Sequence, residues 1–346
     1  MRTDSDLAPR PPASARPIDL LVAGDAVPDV IVADVAGEIA FGQAETLVER
    51  GALTVGGSSA IMACGAARLG LRVAFVGVVG DDGAGRFMLD ELTARGVDVS
   101  GCVVLSQRAT GLTVHLVRPG AERDRAMLTS MGCVGELTAA MVRDAGAERA
   151  RHLHVGSFYL LPRLAPELAD LFAEARREGR TTSLDTQGDW EGRWQGGLRE
   201  TLRETDLYFA NRDEALAVAA SLGEQPVVKE SADEADLERV LERLAALGPR
   251  PVVKRGAQGA LALEDAAVVC AAALRVAPID TIGAGDSFDA GFVYGHLRGW
   301  SLDRSLAFAA ACGSLSTRAA GGVDAQPTVD EALAAIAATG AHGSPL

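Results

Sequence analysis

A carboxylate set beside unpaired backbone N–H groups can take a proton and hold an anion in one place. The string Asp280-Thr-Ile-Gly-Ala-Gly-Asp-Ser-Phe-Asp-Ala-Gly-Phe292 has that form. Gly283 and Gly285 flank Ala284, and Asp286 follows at once. Residues this small let the backbone turn so that its N–H groups converge. At a helix start those groups lack internal partners and lie at the positive end of the helix dipole. Asp286 could then accept a proton while the N–H groups of Gly283, Ala284 and Gly285 hold a transferring phosphoryl group. The plain alternative is a Gly-rich turn in which Asp286 caps a helix.

Further side chains could join this chemistry. Asp185 follows the apolar stretch Arg180 to Leu184, at the strand edge where α/β sheets place ligands. Asn211 and Glu214 follow the short strand Thr205 to Ala210. Their spacing puts both side chains on one side of a first helical turn, which also suits a capping pair. The strand Pro251 to Lys254 runs into Gly256-x-x-Gly259, a turn that lets a nucleotide lie close to the backbone. Lys254 and Lys229 are the two lysines of the chain, and Lys254 could meet a phosphate. His152 and His154 would share one face of a strand, with no third metal ligand evident nearby.

These groups need a scaffold of strands and helices in alternation. Ile18 to Asp25 reads as a first buried strand and Leu71 to Gly80 as a second. Val268 to Ala277 reads as a buried strand leading into the motif, and Phe288 to Leu297 as the helix after it. Glu230 to Leu247 is an amphipathic, charged helix. Alternation from Ile18 to Leu333 implies a mostly parallel sheet with helices on both faces. The first strand ends in one Gly, so a G-x-G-x-x-G dinucleotide site is disfavoured, and the chain has no Gly-Lys pair for a P-loop.

The motif closely resembles the C-terminal signature of the ribokinase-like (PfkB) carbohydrate kinases, in Asp280, Thr281, Gly283 to Asp286 and Ala290-Gly291-Phe292. Gly56-Gly57-Ser58 before a helix ending in Ala-Arg-Leu-Gly70 resembles the N-terminal motif of the same family. Gly80-Asp81-Asp82-Gly83 and the Asn211-x-x-Glu214 pair follow in family order. The resemblance implies a three-layer α/β/α core with a small β-sheet lid, as one kinase domain over 18–340. The lid would come from about 35–55 and 99–120, with 1–17 a disordered extension.

It also implies an ATP-dependent sugar kinase. Asp286 is then the general base, and Asp29, Gly56, Gly57, Ser58, Ile61 and Asp185 lie at the sugar. Asn211 and Glu214 organise Mg2+ through water, and Lys254, Gly256 and Gly259 border the ATP. Asp280 and the Gly321-Gly322 loop match regions that bind potassium in relatives, so K+ is a further expected cation. Many relatives carry Asn where this chain has Ile61, which can neither donate nor accept. A deoxygenated or less polar acceptor is therefore expected over ribose. A nucleoside kinase of the same fold, or a catalytically silent ligand-binding regulator, are the alternatives.

Composition narrows the classes further. A chain of 346 residues, 48% of them hydrophobic, can bury a large core. The formal charge of −14 argues against nucleic-acid binding. No apolar run reaches membrane-spanning length, and the N-terminus lacks the apolar centre of a signal peptide. A cytoplasmic enzyme acting on a small molecule is expected, as a homodimer by resemblance. The five cysteines are scattered, so neither a disulfide framework nor a zinc site is expected.

Overall fold

The computed structural model describes residues 16–39, 41–119, 125–222 and 234–339. Most of the N-terminal extension, Lys229, residues 122–124 and the start of the charged helix at 230 lie outside them.

The strands are β1 (Ile18–Ala23), β2 (Val27–Ala33), β3 (Arg50–Gly56), β4 (Val73–Val76), β5 (Val78–Gly80), β6 (Val103–Leu105) and β7 (Leu112–Val117). Then come β8 (Arg125–Ser130), β9 (Ala150–Val155), β10 (Thr181–Asp185), β11 (Leu207–Asn211), β12 (Arg250–Lys254), β13 (Ala260–Glu264) and β14 (Ala267–Ala271). The helices are α1 (Ser58–Arg68), α2 (Gly83–Ala94), α3 (Ala139–Asp144), α4 (Leu168–Arg177) and α5 (Leu198–Arg203). They continue with α6 (Arg212–Leu222), α7 (Glu234–Ala245), α8 (Ala284–Leu297), α9 (Leu302–Ser316) and α10 (Val329–Ala338).

The main sheet has the order β14-β13-β12-β11-β10-β9-β1-β4. From β4 to β12 neighbours run parallel, while β13 and β14 are antiparallel additions at the edge. Parallel strands covered on both faces read as continuous apolar runs. β1 shows it: Leu20 and Val22 enter one core with Ile61, Phe288 and Phe308, from α1, α8 and α9. Leu21 and Ala23 enter the other with Val142, Phe172, Leu202, Val218 and Leu241, from α3 to α7. The expected three layers follow from this alternation.

Three local expectations change. The apolar run before the signature forms only β14, a half-exposed edge strand, and residues 272–283 carry no helix or strand. That segment is pinned to α9 instead, Leu274 N to Ser314 Oγ at 3.0 Å and Ile279 N to the Thr317 carbonyl at 2.7 Å. The run Leu71 to Gly80 divides at Gly77 into β4 of the main sheet and β5, which pairs with β6. The four-stranded second sheet, of order β3-β2-β7-β8, includes β2 and β8, outside the ranges expected for a lid.

Candidate active site

The signature turns into α8 at Gly283, whose φ of 70° is left-handed. A side chain there would be strained, and its Cβ would lie 2.6 Å from Gly322 Cα. The first turn of α8 leaves N–H groups unpaired, as helix starts must. The Ala284 N–H turns back to the Thr281 carbonyl at 3.3 Å. Those of Gly283 and Gly285 have no backbone acceptor among the described residues. Of the three N–H groups expected from sequence to hold an anion, those of Gly283 and Gly285 are thus the two left without a backbone acceptor among the described residues.

Asp286 is buried in that first turn, 7% exposed. Burial pushes its carboxyl up to about 8; Lys254 and a Ser58 hydrogen bond oppose this, and Asp185 and Asp25 add to it. Gln187, at the end of β10, donates to Asp286 Oδ1 at 3.4 Å from a backbone with φ 54°. Below lies a buried ion cluster. Lys254 Nζ is 2.7 Å from Asp185 Oδ2 and 3.0 Å from Asp289 Oδ2. Sheet order explains the meeting: Asp185 ends β10 and Lys254 ends β12, two strands apart, while Asp289 is one helical turn beyond Asp286. The Lys254 charge holds Asp185 below the usual carboxylate range against its burial. Burial and the neighbouring Asp185 raise Asp289, and the Lys254 charge opposes them. Among the described residues, Asp185, Asp286 and Asp289 are the one acidic group close enough to share a metal, and the ammonium already sits against two of them.

Ala284 and Gly285, the two residues before Asp286, line a cleft of about 380 Å³. Lys254, Gly256, Gly259, Gly285, Leu274, Val276 and Phe288 line it, giving one end with N–H groups and a cation and another that is apolar. A nucleotide needs both. The turn Gly56-Gly57-Ser58 faces Asp29, Asp25 and Asp286 in turn. A Cβ on Gly56 would lie 2.1 Å from the Asp29 carboxylate, and one on Gly57 3.1 Å from Asp25 Oδ2. Ser58 bonds the Asp286 side chain. Asp25 accepts from Ser58 N, Ser59 N and Ser157 Oγ at 3.2, 3.1 and 2.9 Å, fixing the start of α1.

Ile61 is not an open wall. It is 2% exposed, and its methyl groups occupy the space where side chains on Gly283 and Gly322 would stand. Its contact is with the backbone at Gly283 and Gly322. Asn211 and Glu214 form a full capping pair: Asn211 N donates to Glu214 Oε2 at 2.7 Å and Glu214 N to Asn211 Oδ1 at 2.9 Å. Burial, with Asp185 adding, raises Glu214 to about 7. Asp280 accepts from Ile282 N and Gly321 N, both at 3.0 Å, and so joins the signature to the Gly321-Gly322 loop. His152 and His154 do share a face of β9, but both bond Ser183 Oγ at 2.7 Å and are buried, which holds His154 at about 4. They are core histidines. Gln187, Asp289, Asp25 and His115 of β7 were not singled out from sequence. The position of Asp289, three residues after Asp286 on one helix face, was the available signal.

The mostly parallel three-layer α/β/α sheet with a smaller second sheet is that of the ribokinase fold. Residues 18–329 match the family model described as pfkB family carbohydrate kinase, and the chain belongs to that family. It is 30% identical over 285 residues to a 5-dehydro-2-deoxygluconokinase of Shouchella clausii, covering 82% of this chain and 86% of that one. It is 28% identical to a ribokinase of Haemophilus influenzae, over 81% of this chain and 87% of that one. The Arabidopsis thaliana ribokinase complexed with ribose and ATP superposes with a TM-score of 0.76 at 21% identity, covering 92% of this chain and 98% of that one. A candidate ribokinase II from E. coli with ATP and Mg2+ gives 0.75 at 23% identity, over 93% and 99%. The chain is thus a sugar-kinase phosphotransferase. No helix among the described residues is long and apolar enough to cross a membrane.

Proposed function

We propose that this chain transfers the γ-phosphoryl group of ATP to a hydroxyl of a sugar or sugar derivative, with Asp286 as the base. The observation that carries this reading is the place of Asp286. It follows directly on Gly285, which lines the cleft, and Ser58 of the turn that touches Asp29 at Gly56 faces its side chain. Asp29 would fix a hydroxyl at one end of the acceptor. Asp286 would take the proton of another as that oxygen attacks. The Gly283 and Gly285 N–H groups would hold charge developing on the transferred group, and Lys254 would meet a phosphate oxygen at Gly285.

When bound, Mg2+ supplies charge that neutralises the phosphates. Asn211 and Glu214 would hold it through water, since carboxylate and amide oxygens suit this ion. Glu214→Gln separates that role from capping, because Gln keeps an oxygen for the Asn211 N–H. Expected are a Mg2+ half-saturation raised about tenfold and a stability within about 0.5 kcal/mol of wild type. An unchanged Mg2+ titration would leave Glu214 as a cap alone.

Asp280 ties together the two loops that lie behind Gly283. A potassium ion held at their carbonyls and at Asp280 would add positive charge behind the anion hole, so turnover is expected to rise with K+. Equal rates in potassium and tetramethylammonium chloride at one ionic strength would end that proposal.

The acceptor class is supported by the curated relatives, several of which are named for 5-dehydro-2-deoxygluconate, a deoxygenated sugar acid. ADP release measured with aldoses, ketoses, 2-deoxy sugar acids and nucleosides as acceptors tests the function. Release that rises with a sugar or sugar acid is expected. Turnover with nucleosides alone would move the chain to nucleoside kinases, and none with any acceptor would favour a silent regulator.

A further inference from the structure

We infer that His115, with Asp29, reads a pair of neighbouring hydroxyls on the acceptor and so sets acceptor specificity; this rests on the kinase reading above. β2 and β7 run parallel with Asp29 beside Thr113 and Ile31 beside His115, so Asp29 and His115 point to one face of the second sheet. The imidazole is 5% exposed and the carboxylate 4%. His115 Nε2 lies 3.1 Å from Asp29 Oδ2. The alignment is too poor for a hydrogen bond, and neither ring nitrogen has a hydrogen-bond partner among the described residues. Two buried, unsatisfied nitrogens are costly to keep in a folded chain, and native structures keep such groups where something else will meet them.

The rest of the geometry says what that is. Asp29 is pressed against Gly56, at the far end of the turn that begins the contact with Asp286. A carboxylate offers acceptors only, and a neutral imidazole offers one donor and one acceptor. Two adjacent hydroxyls match that set. One donates to Asp29, and the other donates to, or accepts from, the free ring nitrogen. An apolar or singly hydroxylated edge would leave the imidazole without a hydrogen bond, with only the poorly aligned Asp29 carboxylate beside it. A site built to bond a hydroxyl rejects an analogue that lacks it for this reason. His115 is therefore a specificity residue for the acceptor end held by Asp29.

The probes are D-ribose, D-fructose, D-gluconate and 2-deoxy-D-gluconate, each as acceptor with saturating Mg·ATP. For the one turned over fastest, wild type is compared with His115→Phe, which keeps the ring, and His115→Asn, which keeps a donor and an acceptor. The acceptor KM is expected to rise about tenfold or more in His115→Phe, and less in His115→Asn. The KM for Mg·ATP and ATP hydrolysis without acceptor should stay at the wild-type values in both. An active His115→Phe with an unchanged acceptor KM overturns the inference. So does a variant in which both KM values rise together, since that marks a general loss of structure. If no probe is turned over, the kinase reading itself fails and this inference falls with it, a pattern distinct from an active enzyme indifferent to the imidazole.

Discussion

Asp286→Asn is expected to lower kcat by about 10²–10⁴ while the affinity for Mg·ATP stays near that of wild type. The amide fills the same space in the first turn of α8 and can keep the contacts of Ser58 and Gln187, but it cannot take a proton. Burial places the Asp286 carboxyl at about 8. In the free wild-type enzyme kcat/KM should therefore climb with pH toward that value, and bound cations would move the rise lower. Stability carries the opposite sign. A carboxyl whose folded pKa is raised contributes stability that is complete below its ordinary value of 3.8 and is lost as pH rises through about 8. The permanently neutral Asn escapes this loss, so the variant should gain on wild type in thermal stability as pH increases across that window. A variant with wild-type turnover would make Asp286 a cap and nothing more.

Lys254→Met is expected to destabilise the fold by about 3–5 kcal/mol near neutral pH. Met fills the stem's volume but removes the one cation recorded against Asp185 and Asp289. Asp185, held below its usual range by that cation, contributes stability above its unfolded pKa, and this is lost as pH falls through its lower folded pKa. In the variant the carboxyl is buried without compensation and must take a proton. The stability gap between wild type and variant should thus narrow as the medium is made acidic, as read by urea unfolding at a series of pH values. Equal stability of the two proteins at neutral pH would show that the cluster is not held by Lys254. The KM for ATP should rise as well, because Lys254 also lines the cleft at Gly285.

Much of the site was legible because it is local in sequence. Gly283 to Asp286 needs only a turn and a helix start, and Asn211 with Glu214 only one helical turn. The alternation that fixes the three layers is likewise local, as β1 shows by sending Leu20 and Leu21 to opposite cores. What stayed hidden depends on long-range register. Lys254 meets Asp185 because β11 alone separates their strands, an order that no stretch of sequence states. His115 meets Asp29 through the pairing of β2 with β7, which brings residues far apart in the chain onto one face. Gln187 reaches Asp286 from a left-handed backbone that a Gln rarely adopts, so its residue type gave no sign. The strand expected before the signature failed for a related reason. From Ala272 to Ile279 the side chains are half-buried or exposed, and the backbone of the segment bonds to the end of α9 at Leu274 and Ile279 instead of to a sheet neighbour.

The central claim is that a hydroxyl of the acceptor, activated by Asp286, receives the phosphoryl group of ATP. Phosphorus NMR of the reaction mixture, with the best acceptor from the screen and Mg·ATP, follows that group directly. The account predicts that a phosphate-monoester signal grows in step with ADP in wild type and is nearly absent in Asp286→Asn. Inorganic phosphate growing in step with ADP instead, at the same rate with and without acceptor, would contradict it.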